Sequence, residues 1–388
     1  MFIAPGKGRE TMAYVATLGS GAAPRHLLTS DGNPEKLREC RWASNTRIVC
    51  RIFVEMEENL SIVGYWRWIA LDADGTRPQL LSAPSTARAL GVAQAGGSII
   101  DWESGKEGSI LMTRVFVPDM NIGTRLANER RGYGVERVDT NSLQRSIVEA
   151  PKEEAVEFIS DGRGNVRVMG SATKGGPLYD RGIYAYFYRK SGEETWLPLS
   201  TRNLIDETGF APLAVDPTLN AVYGIEQSKG RYAIFRIALD GSLKRELVLE
   251  RPDVDVDGLI RIGRRQRVVG VSYATDRREL MFFDPQLKSL AGALSRALPG
   301  LPLINFVDSS EDETKLLLWA GSDVDPGRYY LFDRTARKLD EIMLSRPPLE
   351  NAKLAPVKPV TFPAADGTQI PGYLTLPPGS DARTCPRS

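Results

Sequence analysis

The sequence predicts an all-β fold, a β-propeller of about seven blades with the first blade incomplete, and three observations predict it. Short runs rich in β-branched and aromatic residues recur along the chain, bounded by Gly, Asp, Asn and Pro. Several of these runs end in an aspartate, turn within a few polar residues and return as a shorter apolar strand. "RWIALDADGTRPQLLS", "YGVERVDTNSLQRSIVEA", "IFRIALDGSLKRELVLE" and "YYLFDRTARKLDEIML" all read this way. Finally, the pattern repeats: Asp240, Asp284 and Asp333 lie 44 and 49 residues apart, and Asp139 precedes Asp240 by 101, two such units. A four-stranded unit recurring at roughly 40–50 residues is the mark of a propeller blade.

The elements follow in order. Blade 1 (residues 1–31) carries "MAYVAT" and is short, because Met1 falls inside a hairpin already under way; that leaves a bare sheet edge. Blade 2 (38–83) holds "RIVCRIFV" and "YWRWIALD", ending at Asp72. Blade 3 (97–150) holds "SILMTRVFV" and "YGVERVD", and blade 4 (153–200) holds "NVRVMGSA" and "YAYFYRK" without the terminal Asp. "NAVYGIE" and "YAIFRIALD" make blade 5 (208–250). In blade 6 (254–295), "RVVGVSYA" and "ELMFFD" precede the one stretch with helical spacing, Leu287 to Leu298; "KLLLWAG" and "RYYLFD" complete blade 7 (302–344). Asp suits the strand ends because its carboxylate accepts bonds from backbone N–H groups two residues on and so fixes the turn.

After Leu344 the texture changes. "SRPPLENAKLAPVKP" (345–359) is Pro-rich and non-periodic and reads as a linker. "VTFPAADGTQIPGYLTLP" then gives strand, turn and strand, with Asp366-Gly367 a favoured hairpin dipeptide because Gly accepts positive φ without strain. Three segments are expected: propeller 1–344, linker 345–359 and the start of a second domain, 360–388.

Composition sets the limits. Lys+Arg 50 against Asp+Glu 49 gives a net charge of +1, too little excess to neutralise a phosphate backbone, so no nucleic-acid partner is expected. No apolar run reaches the ~18 residues of a membrane span. "MFIAPGKGRE" has neither the basic nor the apolar part of an export signal, and the compartment is left open. Of the three cysteines, Cys40 and Cys50 flank "RWASNTRIV" and could face each other across a hairpin; the sequence favours two small buried apolar residues. A single histidine, His26, excludes a Cys/His zinc site. No cofactor or metal is expected.

A propeller followed by Val360–Pro378 resembles the prolyl oligopeptidase family of serine peptidases, especially its bacterial dipeptidyl- and acylaminoacyl-peptidase-like members. Their hydrolase domain opens with a hairpin of the pattern "DG…I…GYL…P". The resemblance implies a propeller capping an α/β-hydrolase domain, peptide substrates cleaved by a Ser-Asp-His triad, and access limited by substrate size. A triad needs nucleophile, base, orienting acid and oxyanion hole. The family's nucleophile sits in G-x-S-x-G, which the sequence lacks; the nearest match, "GVSYA", makes Ser272 an ordinary blade residue. His26, in "PRHLLTS", has no nucleophile partner. No catalytic residue is therefore expected in this chain, and it is expected to be inactive by itself.

Other features are weighed the same way. "DVDVDG" (Asp253, Asp255, Asp257) begins like a calcium loop, but Arg264 stands where a bidentate Glu is needed, so a strand edge is expected. The resemblance implies that a propeller Glu pair can hold a substrate's amino terminus; Glu57 and Glu58 are candidates, with a solvated loop the expected reading. Tyr65, Trp66 and Trp68 are expected to pack within the blade, and "RIGRRQRVV" (Arg261–Val269) to be a solvated basic turn. The sequence thus predicts the propeller portion of a prolyl-oligopeptidase-like peptidase, with a free-standing peptide- or protein-binding propeller as the alternative. "RTCPRS" (Arg383–Ser388) does not continue a hydrolase start, and a shifted reading frame is the expected cause. With codons common in GC-rich genomes, dropping two bases there would read Leu-Pro-Ala and a further apolar residue.

Overall fold

The structure, a computed structural model, describes all residues but 20, 59, 85, 92–94, 121–126, 175–179, 301 and 381–388. The expectation about Arg383–Ser388 lies outside the described residues. The fold is all-β, a seven-bladed β-propeller, and its sheets fall within a few residues of the predicted blades. The chain divides into two compact units, Met1–Gln227 with Phe235–Leu247, and Ser228–Ile234 with Val248–Ser388.

The first unit contains blades 1 to 4 and most of blade 5, each an antiparallel meander whose strands pair in chain order. Blade 1 has three strands, Phe2–Pro5, Thr11–Val15 and Arg25–Ser30. Blade 2 has Lys36–Trp42, Arg47–Glu58, Ser61–Asp72 and Gln79–Leu80; blade 3 has Ile99–Asp101, Ser109–Phe116, Gly132–Asp139 and Arg145–Lys152. Blade 4 comprises Ala155–Ser160, Val166–Lys174, Asp180–Tyr188 and Leu197–Asn203, and blade 5 comprises Ala211–Asp216, Ala221–Ser228, Arg231–Ala238 and Arg245–Leu249. Apolar side chains at alternate strand positions meet between neighbouring blades, as period-two patterning requires. Val49, Trp68 and Ala70 of blade 2 pack on Trp102, Ile110, Met112 and Val138 of blade 3. A second seam joins Val168, Tyr186 and Tyr188 of blade 4 to Phe210, Val222 and Ile237 of blade 5.

The predicted Asp turns form by the predicted chemistry. Asp139 Oδ1 accepts from the N–H groups of Asn141 and Ser142, and Asp240 Oδ1 from Ser242. Asp333 Oδ1 takes Thr335 and Ala336. Asp72 does more. Its carboxylate meets Arg77 and also the fully buried Arg47, whose Nη1 lies 2.9 Å away. The Arg47 Nε donates to the Thr140 carbonyl of blade 3 and its Nη2 to Gln79 Oε1, so one side chain ties two blades together.

In the second unit, blade 6 has three strands, Val256–Ile262, Arg267–Ala274 and Arg278–Phe282, followed by helix α1 (Pro285–Ala297). Asp284 does not lead into a return strand. Its Oδ1 accepts from the Gln286 and Leu287 N–H groups and caps the helix, with Pro285 in the first turn, where a missing N–H costs nothing. Leu287 and Leu294 bury the apolar face of α1 against blades 6 and 7. Blade 7 runs Leu303–Ser309, Lys315–Gly321, Arg328–Asp333 and Lys338–Leu344, and a separate two-stranded hairpin follows, Val357–Pro363 with Gln369–Thr375. Among the described residues no helix is long and apolar enough to cross a membrane.

The preference for Cys40 and Cys50 as separate buried apolar residues is corrected. They are direct cross-strand partners in blade 2, their Cα atoms 4.0 Å apart, and they form a disulfide. The register set by the short "ASNT" turn brings the two sulfurs together.

Candidate functional site

The chemically suggestive side chains of the second unit are engaged with one another. Ser272 Oγ, on the second strand of blade 6, donates to Asp257 Oδ1 at 2.5 Å, and Arg278 Nη1 reaches the same carboxylate at 2.7 Å. The Asp257 carboxylate is thus shared between a hydroxyl and a guanidinium. Asp255 accepts from the Tyr232 N–H and Asp253 pairs with Arg251, so the "DVDVDG" carboxylates serve the backbone and neighbouring arginines. The basic turn is exposed at Arg265 and Arg267, as expected, and these two pair at the surface with Glu311 and Glu313 of blade 7.

In the first unit, His26 is exposed on the outer strand of blade 1. Its Nε2 and Thr29 Oγ1 are 2.7 Å apart, and its ring sits edge-on to Tyr14. Trp66 and Trp68 both direct their indole N–H to the Gly97 carbonyl, at 2.9 and 2.8 Å, and Trp68 packs edge-on against Trp102. They are structural parts of blade 2, as expected.

Glu57 and Glu58 occupy a different kind of place. The two long strands of blade 2 pair continuously from Arg47↔Asp72 to Glu58↔Ser61, whereas the inner strand stops pairing at Lys36↔Phe53. The hairpin beyond Phe53 is thus a two-stranded ribbon, and its tip displays Glu55, Glu57 and Glu58 to solvent. Glu58 Oε1 accepts from the Tyr65 hydroxyl at 2.7 Å, and that bond raises the pKa of Tyr65 above its ordinary value. Leu60 is 96% exposed and Ile62 80% exposed on the same tip. Carboxylates beside apolar side chains can hold a group that pairs a cationic amine with an apolar neighbour. The ribbon's reach was not legible in the sequence, because it depends on where the neighbouring strand ends.

Two acids with little exposure also escaped sequence reasoning. Asp101, 2% exposed, accepts from Ser160 Oγ and from the N–H groups of Glu103 and Gly164, and its pKa is raised by desolvation. Glu157 is partly buried and accepts from the Tyr186 hydroxyl at 3.2 Å; desolvation likewise raises its pKa. Both are blade-strand acids, and the sequence signal for either is a single acid within an apolar strand.

The hairpin after blade 7 carries much exposed apolar surface. Phe362 is half exposed, Tyr373 is 58% exposed, and Val357, Ile370 and Leu374 are also open. By the pairing register, Phe362, Ile370, Val360 and Leu374 share one face. The Tyr373 hydroxyl anchors it to the Thr275 carbonyl at the blade 6 turn, and the Val357 N–H donates to Asp323 of blade 7 at 2.7 Å.

No protein-family model matches the chain. Among curated proteins it is similar to dipeptidyl aminopeptidase BIII of Pseudoxanthomonas mexicana, 27% identical over 252 residues, which span 64% of this chain and 35% of that protein. Among solved structures, a puromycin-hydrolyzing peptidase of Mycobacterium tuberculosis superposes with a TM-score of 0.50 at 12% identity, covering 94% of this chain and 54% of that one. A prolyl endopeptidase gives 0.53 at 10% identity, covering 95% and 51%, and a puromycin hydrolase gives 0.52 at 12%, covering 95% and 57%. The chain therefore corresponds to about a third of its curated relative and about half of each structural neighbour. It is similar in sequence to that dipeptidyl aminopeptidase, and it shares its fold with part of each of these solved peptidases.

Proposed function

We propose that this chain is the propeller portion of a prolyl-oligopeptidase-like serine peptidase. In this reading residues 1–344 form the propeller, 345–359 the linker and 360–388 the start of an α/β-hydrolase domain. The hydrolase domain supplies serine, acid and histidine, the propeller contributes no catalytic residue, and it limits which peptides reach the triad. The hairpin Val357–Thr375 is the observation that carries this reading. A two-stranded sheet is marginal by itself, and this one leaves Phe362, Ile370, Tyr373 and Leu374 open to solvent. Strands with exposed apolar residues on both faces suit the interior of a larger, helix-covered sheet. The exposed carboxylates of Glu57 and Glu58 suit a peptide amino terminus, the group that a dipeptidyl aminopeptidase must recognise.

A chimera tests this. The propeller of dipeptidyl aminopeptidase BIII is replaced by residues 1–359, and hydrolysis of dipeptide amides and of longer peptides is measured. The expected chimera cleaves short substrates and discriminates against long ones, and Glu57→Gln with Glu58→Gln raises KM for free amino termini while leaving N-acetylated substrates unchanged. A folded chimera with no size preference would overturn the gating role and favour the alternative, a free-standing binding propeller.

A further inference from the structure

Blade 6 has helix α1 after its third strand where blade 7 has a fourth strand, and the exchange opens a groove within the second unit. Leu290 and Ala293 of the helix and Phe332 of blade 7 supply its apolar lining, and Arg334 and Arg337, from the last turn of blade 7, supply its cations. Its volume is about 640 Å³, and no acidic residue lines it. That size falls in the range of about 300–1,000 Å³ typical of ligand sites.

Charge makes the groove distinctive. Several other arginines of this unit meet carboxylates: Arg265 meets Glu311, Arg267 meets Glu313, and Arg328 meets Glu341. Arg334 instead donates to the Gln286 side-chain oxygen and the Glu313 carbonyl, and Arg337 has no ion pair among the described residues. The nearby acids are committed elsewhere. Asp284 caps the helix, Asp333 holds its own turn and Lys315, and Glu313 holds Arg267. The helix N-terminus is not the attraction, since Asp284 already satisfies its first free N–H groups.

We infer that this groove binds an acidic peptide segment of a partner protein, with an apolar side chain against Leu290, Ala293 and Phe332 and carboxylates on Arg334 and Arg337. Planar guanidinium groups without a carboxylate match bidentate carboxylate binding. Two cations beside an apolar wall fall short of the clusters of about four to eight Lys/Arg that hold anionic membranes. The inference does not depend on the peptidase reading.

Fluorescence anisotropy with the full chain and a short fluorescein-labelled peptide of alternating Asp/Glu and Leu/Phe tests it. The expected result is saturable binding that high salt weakens. Arg334→Glu with Arg337→Glu should weaken it about tenfold or more, and Ala293→Glu, at an exposed helix position, should do the same. A peptide with Lys in place of the acids should not bind. Melting curves establish that both variants fold. Absence of saturable binding, binding unchanged by both variants, or equal binding of the lysine peptide would each overturn the inference. Retention on phosphatidylserine vesicles without peptide binding would overturn it in favour of a membrane surface.

Discussion

At the scale of single residues, Arg47 shows how a charge becomes structural. It is wholly buried, and its guanidinium meets Asp72, Gln79 and the Arg77 and Thr140 carbonyls. Arg47→Ala would strand those acceptors, with an expected loss of about 3–5 kcal/mol; urea unfolding checks it, and a loss below about 1 kcal/mol would contradict the account. Lysine should rescue poorly, because one ammonium cannot serve four acceptors spread around a planar fork. Glu157 makes the opposite case, an acid whose burial disfavours its charge. Its folded pKa is raised above the ordinary 4.5, so the folded state holds the proton longer than the unfolded one. That contribution is full below the unfolded value and is lost as pH rises through the folded one. Glu157→Gln keeps an acceptor for Tyr186 and removes the titration. Its melting temperature should therefore exceed that of the parent near neutral pH, and the difference should shrink as pH falls through the raised folded value and vanish below the ordinary 4.5. A constant difference across pH would show that Glu157 does not titrate on unfolding.

Elements show where sequence patterning is enough and where it stops. The strands "RIVCRIFV" and "YWRWIALD" were legible from their β-branched and aromatic residues; alternate side chains go to opposite faces, Val49 toward blade 3 and Ile48 and Cys50 toward blade 1, and both faces are buried. The helix was legible too, but its start was not: Asp284 reads equally as a strand-end turn and as an N-cap until the following residues are seen to pack on blade 7. The terminal hairpin was legible from Asp366-Gly367, while its exposure was not, since exposure depends on what else is nearby. Phe362→Glu with Ile370→Glu should reduce self-association of the chain, as read by sedimentation velocity. Blade stability should shift by no more than about 0.5 kcal/mol. Unchanged association would place the adhesive surface elsewhere, for instance at the Leu60–Ile62 tip of blade 2.

For the whole molecule the expectation concerns chemistry. Its one histidine is engaged with Thr29, and Ser272 shares the Asp257 carboxylate with Arg278. The chain should not be labelled by a fluorophosphonate and should not hydrolyse peptide or ester substrates. Labelling abolished by Ser272→Ala would reverse that reading. The sequence by itself determined the blade count and the turn chemistry. Period-two apolar strands and Asp turns are local consequences of backbone geometry, repeated at one interval. Only the tertiary structure decided the Cys40–Cys50 bond, the Arg47 link between blades, the reach of the Glu57–Glu58 ribbon and the placing of Arg334 and Arg337 beside α1. Each depends on residues from different strands or blades arriving at one point. That arrival is set by register and packing, which no local pattern of residues encodes.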